Sequence, residues 1–105
     1  MITIITPILN GEKFLQETYK SIKENIYFSE WIVVDGGSTD RTIEILEKYK
    51  DNFIKIHHIS GNSSIAINHG IKNAQNKIVG VIGCDDLYEK YTSEIIYKSF
   101  KKNPN

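Results

Sequence analysis

A chain of 105 residues with 13 Lys plus Arg against 13 Asp plus Glu carries a formal net charge of zero. That length allows one small domain with a thin core, and the balanced charge gives no support to nucleic-acid binding or to electrostatic adhesion on an anionic membrane. The single cysteine, Cys84, leaves no intrachain disulfide to form and fits a reducing compartment. No apolar run approaches the roughly 20 residues of a membrane span, and residues 1–7 lack the basic and apolar regions of a signal peptide. The expected location is the cytoplasm, with peripheral association at the inner face of the membrane within that expectation. Near-neutral charge favours self-association, so a homodimer is among the expected partners.

Residues 2–6 are apolar and β-branched, and the run stops at Pro7, which cannot donate to a central ladder. Asn10-Gly11 marks the turn that follows. From Glu12 the pattern becomes helical, with Phe14, Leu15, Thr18, Tyr19 and Ile22 on one face. Residues 30–35 read as a second strand. Gly36-Gly37-Ser38-Thr39-Asp40 is a turn whose last three residues are all favoured helix N-caps. The next helix turns Ile43, Leu46 and Tyr49 inward. Residues 53–59 form a third, less apolar strand carrying His57 and His58, and residues 60–64 a polar, glycine-containing loop before a helix over 65–74. Residues 78–82 are apolar and uncharged, after which the chain presents Gly83-Cys84-Asp85-Asp86. A last helix over 89–102 places Tyr91, Ile95, Ile96 and Phe100 on its apolar face.

Four strand–helix units in regular alternation predict a single α/β domain, with a parallel sheet, right-handed crossovers and helices on both faces. Strands one, two and four are almost continuously apolar, as strands buried on both faces are. Strand three, with Lys55 and two histidines, belongs at an edge. The expected strand order is therefore 3-2-1-4, with the winding reversing beside strand one.

In such a sheet the crevice outside the strand C-termini, at the reversal of strand order, is the default ligand site. Thr6-Pro7, Asp35-Gly36-Gly37 and Gly83-Cys84-Asp85-Asp86 all end strands there. Gly36 and Gly37 let a ligand approach the backbone closely. Two adjacent aspartates repel each other unless a cation lies between them or one caps the next helix. Neither the dinucleotide fingerprint nor the phosphate-binding loop is present. Nucleotide phosphates would therefore need a divalent ion, and Mg²⁺ and Mn²⁺ both suit carboxylate ligands.

Thr6-Pro7-Ile8-Leu9-Asn10-Gly11, the block from Val33 through Asp35-Gly36-Gly37-Ser38-Thr39-Asp40 to Thr42, Asn68-His69-Gly70 and Gly83-Cys84-Asp85-Asp86 occur in the order and spacing of family 2 glycosyltransferases, and the whole chain resembles that family. The resemblance implies a Rossmann-like sheet forming half of a GT-A fold, and a nucleotide-diphosphate sugar as donor. It also implies a polysaccharide or glycolipid acceptor and a divalent metal, Mn²⁺ or Mg²⁺. The form Asp-Gly-Gly-Ser-Thr-Asp is similar to the bacterial branch that builds cell-surface polysaccharides. By the same resemblance Thr6 and Pro7 line the base and ribose, Asp35 lies beside the base, and Asn68 stands on the helix near the donor. Asp85 approaches the ribose or the ion, and Asp86 binds the metal that bridges the diphosphate.

Three departures qualify the match. Gly36 stands where many members have a second Asp able to contact uracil, so a uridine donor is not implied. Gly83 stands where the full Asp-x-Asp motif is acidic, and the loop over residues 60–64 is shorter than usual. The family's acceptor half, which supplies the general base of inverting enzymes, would follow Asn105, so residues 1–105 read as a donor-binding domain cut off before it. The alternatives are a catalytically silent nucleotide-binding or dimerising module and, more distantly, a sugar nucleotidyltransferase. His57, His58 and His69 are not read as a metal cluster, because strand neighbours point to opposite faces.

Overall fold

The computed structural model describes residues 1–51, 53–84 and 92–102. Strands and helices alternate through them as β1 (Ile2–Ile8), α1 (Leu15–Lys23), β2 (Phe28–Asp35), α2 (Thr42–Lys48), β3 (Ile54–His58), α3 (Ser63–Asn73), β4 (Ile78–Val81) and α4 (Thr92–Lys102). The sheet order is β3-β2-β1-β4 and each pairing is parallel, as the alternation predicts. β1 and β2 are the central strands. β1 pairs with β2 from Ile2 opposite Phe28 to Ile8 opposite Asp35, so both end on one rim.

Alternation of side chains along β1 and β2 divides the core between the two faces. Ile2, Ile4, Trp31 and Val33 turn toward α1 and α2, where they meet Leu15, Ile22 and Leu46. Ile5, Ile32 and Val34 turn the other way and meet Ala66 of α3. Helices therefore cover both faces, and each fully buried aliphatic side chain contributes about 1.5–3 kcal/mol by leaving water. α3 reaches the sheet through Gly70, where an added Cβ would lie 2.7 Å from Ile5 Cγ2.

Two expectations about burial are corrected. β4 was expected to be buried on both faces, but it is a half-buried edge strand whose last residue, Val81, is 47% exposed. The apolar run continues past the strand to Ile82, which is buried and donates its N–H to Ile5 at 3.1 Å. In α4, Ile95 and Phe100 face solvent, while Ile96 and Tyr97 pack toward the core. The helix is rotated because Ser93 is its buried contact: Ser93 N–H donates to Asn25 Oδ1 at 2.8 Å, and Tyr97 stacks on Tyr27. Tyr91 lies outside the described residues. Phe14, expected inside, is half exposed because α1 begins one residue later, with Leu15 turned in.

Candidate functional site

The turn after β1 and the turn after β2 form one hydrogen-bonded unit. Asn10 adopts a left-handed φ of +53°, which Asn tolerates better than most residues. In that position its Oδ1 accepts from Thr39 N–H at 2.8 Å and Asp40 N–H at 3.2 Å. Asn10 N–H donates in return to Ser38 Oγ at 2.9 Å, and Gly11 N–H to Thr42 Oγ1 at 2.9 Å. Asp40 ties the unit to α2 by accepting from Thr42 N–H at 2.9 Å, and to the first turn by accepting from Glu12 N–H at 3.3 Å. Of the three cap candidates, Asp40 serves the start of the helix and Ser38 and Thr39 are spent on Asn10.

Asp35 is 2% exposed, at the end of β2. Its carboxylate accepts from Gly37 N–H at 3.1 Å, Ser38 N–H at 3.2 Å and the Ser38 hydroxyl, and His58 Nδ1 lies 3.6 Å away. The side chain thus fixes the shape of the Gly36–Gly37 turn from within. Thr6 is equally buried, and its hydroxyl accepts from the Trp31 indole N–H at 2.8 Å. Both residues stand at the rim, with their polar atoms turned into the protein.

Beside them a cavity of about 280 Å³ opens at the C-terminal rim, near the lower end of the range for small-molecule sites. Pro7, Leu9, Val34 and Gly36 form one side, and Gly61, Asn62 and Ser63 at the start of α3 form the other. It lies over the C-terminal ends of β1 and β2, on the α3 side of the sheet, and not at the β1–β4 reversal that the sequence points to. A Cβ added at Gly36 would meet only backbone oxygens of Gly61 and Ile8 at 3.8 Å, so the open space there reflects a missing side chain. Gly61 has φ +140°, and a side chain would collide with Ile65 at 2.8 Å. Asn62 caps α3 by accepting from Ile65 N–H at 3.0 Å.

Of the residues proposed for the donor, the structure brings Pro7 and Gly36 to the cavity, with Thr6 and Asp35 supporting it from behind. Asn68 is exposed on α3 and does not line the cavity. The wall at Gly61–Ser63 was read only as a polar loop, although Gly-Asn-Ser before a helical pattern is an N-cap signal. Asp85 and Asp86 lie outside the described residues. The chain approaches them through Cys84, whose carbonyl accepts from the Thr18 hydroxyl and whose Sγ lies 3.7 Å from Gly11 O. Gly11 itself has no room for a side chain, since a Cβ would stand 2.6 Å from Cys84 Sγ. Among the described residues no three His, Cys, Asp or Glu side chains gather into a metal-binding group. The histidines are arranged differently from expectation, however. His57 and His58 do point to opposite faces, yet α3 brings His69 onto His57.

Comparison with known proteins adds independent relatives. The minor teichoic acid biosynthesis protein GgaA of Bacillus subtilis is 34% identical over 113 residues, covering 95% of this chain and 25% of the relative. The crystal structure of Staphylococcus aureus TarS 1–349 in complex with UDP superposes with a TM-score of 0.86 at 28% identity, covering 98% of this chain and 32% of that one. The mannosyltransferase PcManGT from Pyrobaculum calidifontis, solved with GDP-Man and Mn²⁺, shares the fold with a TM-score of 0.71 at 24% identity, over 86% of this chain and 29% of that one. The chain spans about a quarter to a third of the length of these relatives. None of the described helices is long and apolar enough to cross a membrane. Residues 3–105 match the model of Glycosyl transferase family 2, and the chain belongs to that family.

Proposed function

We propose that this chain binds the donor in a glycosyltransferase, holding a nucleotide-diphosphate sugar for transfer to a cell-surface polysaccharide or glycolipid acceptor. The observation that carries the proposal is the cavity between Pro7, Gly36 and the Gly61–Ser63 turn, open at the C-terminal rim of the sheet over β1 and β2. Similarity to TarS, whose crystal structure contains UDP, and to GgaA, named for teichoic acid biosynthesis, supports that choice of ligand and pathway class.

The roles divide by environment. Pro7, Leu9 and Val34 offer apolar surface to the face of a nucleobase, and Gly36 and Gly61 let its edge approach the backbone. Thr6 and Asp35 position this floor, because their polar atoms already serve Trp31 and the Gly37–Ser38 turn. Asp86, with Asp85 beside it, would hold a divalent ion, Mn²⁺ or Mg²⁺; carboxylates on this strand end are the donor chemistry such ions take. When bound, the ion would stabilise charge on the leaving diphosphate.

Thermal melting tests the proposal directly. A nucleoside diphosphate with Mn²⁺ is expected to raise Tm, and Asp86→Ala to abolish the metal-dependent part of the rise. No shift across UDP, GDP, ADP and CDP, with and without Mn²⁺, would overturn it. Gly36→Asp, which the local space accommodates, is expected to alter the ranking of the nucleotides while leaving the Tm of the free protein unchanged.

A further inference from the structure

β3 sends successive side chains to opposite faces, so His58 turns toward Asp35 and His57 turns toward α3. There His57 Nδ1 lies 2.6 Å from His69 Nε2, with the two rings edge-on at a centroid distance of 4.6 Å and an interplanar angle of 65°. Asn73, one helical turn beyond His69, brings its side-chain amide within 3.5 Å of the same Nε2. Two facing imidazole nitrogens hold at most one proton between them without repulsion, so at least one presents a lone pair. Burial, reinforced by the neighbouring His69 and His58, pushes the His57 imidazole below its usual pKa and keeps it in the neutral, ligating form. Lys55, on the same face of β3, is held by Glu30 at 3.2 Å, and that carboxylate offsets its charge near the pair.

We propose that His57 and His69 form a second metal site, a clasp between β3 and α3 for a borderline transition-metal ion such as Ni²⁺, Cu²⁺ or Zn²⁺. The ion replaces the proton shared by the two nitrogens. Metal–nitrogen bonds of about 2.0–2.1 Å at a tetrahedral angle place the nitrogens about 3.3–3.4 Å apart, so the gap must widen by about 0.7 Å. His69 is only half-buried on the flank of α3, which leaves its ring room to make that turn. The Asn73 amide stays bonded to the His69 carbonyl at 2.8 Å, so water completes the coordination. No third His, Cys, Asp or Glu joins the pair among the described residues. The clasp therefore exchanges its ion readily, unlike a closed four-ligand structural zinc site. Imidazole selects these ions over Mg²⁺ and Mn²⁺, which separates the clasp chemically from any carboxylate site at the rim.

Melting without nucleotide, in the presence of Ni²⁺, tests the clasp. A ligand that binds the folded chain alone raises its Tm, here by a shift on the order of 5 °C at saturation. His57→Gln and His69→Asn are each expected to lose that shift, and His58→Asn to keep it. Imidazole nitrogen resonances of the unmodified protein give a second readout that does not depend on any variant folding. Zn²⁺ is expected to move the His57 Nδ1 and His69 Nε2 signals together and to leave those of His58 in place. An equal Ni²⁺ shift in all three variants, or His57 and His69 signals that do not move, overturns the proposal.

Discussion

On the face of the sheet covered by α1 and α2, eleven described residues make a continuous buried apolar cluster; on the α3 face there are four. The thinner face also buries a carboxylate. Glu30, 2% exposed, accepts there from the Thr3 hydroxyl at 2.7 Å, from Gln75 N–H at 2.9 Å and from Lys55 at 3.2 Å. Burial pushes the Glu30 carboxyl upward, but these hydrogen bonds and the Lys55 charge outweigh it and hold the group below its ordinary value. The same α3 face carries the cavity wall at Gly61–Ser63 and the His57–His69 pair. The apolar core is thus concentrated on one side of the sheet, while the cavity wall and the His57–His69 pair lie on the other.

If that division is right, the largest loss should come from the thick face. Trp31 is fully buried, lies beside Tyr19, and donates its indole N–H to Thr6. Trp31→Ala is expected to cost about 3–5 kcal/mol, measured by urea denaturation, and to leave Thr6 without its donor. A cost below about 1 kcal/mol would place the stabilising core elsewhere.

A smaller effect of the opposite kind is expected on the thin face. Gly70 lets α3 lie against β1 with Ile5 atoms 2.7–2.9 Å from where a Cβ would be. Gly70→Ala gains helix propensity, yet it overpacks a core that has little else on that side. The expected net loss is about 1–3 kcal/mol, and the shift of α3 should also weaken any nucleotide bound against Asn62 and Ser63. A Gly70→Ala protein more stable than the original would show that α3 moves away freely, and that the face is loosely packed.

Strand number, direction, order and the edge position of β3 were all legible in the sequence, because apolar period and the placement of Lys55, His57 and His58 are local signals. What remained hidden depended on long-range partners. Asn10 reads as a turn residue, but nothing local says that its amide organises the turn 28–30 residues away. Ile95 and Phe100 fit a helical apolar face, and only the Ser93–Asn25 contact decides that Ile96 and Tyr97 turn in instead. At the site, Pro7 and Gly36 could be named from their strand ends. Gly61–Ser63 carry an N-cap signal that marks a helix start, but nothing local says that this start faces Pro7 and Gly36 across the cavity. His57 and His69, 12 residues apart, meet only because α3 folds back over the edge strand.

The smallest effect is a pH dependence carried by the thin face. His57 is held below the ordinary imidazole value, first by burial and then by the charges of His69 and His58, with Lys55 acting in the same direction and Glu30 opposing. Its folded-state pKa lies below the unfolded one, so the unfolded chain binds the proton first as pH falls. The contribution of this group to stability is fully present above about pH 6.5 and is lost as pH drops through the folded value. Buried carboxylates such as Glu30, also lowered, follow the same rule, but in a window below about pH 4.5. Between pH 7 and pH 5.5 the protein should therefore lose a little stability, and His57→Gln should flatten that slope without altering the loss at lower pH. A slope unchanged by His57→Gln would show that the acid-sensitive contact is not the one between β3 and α3.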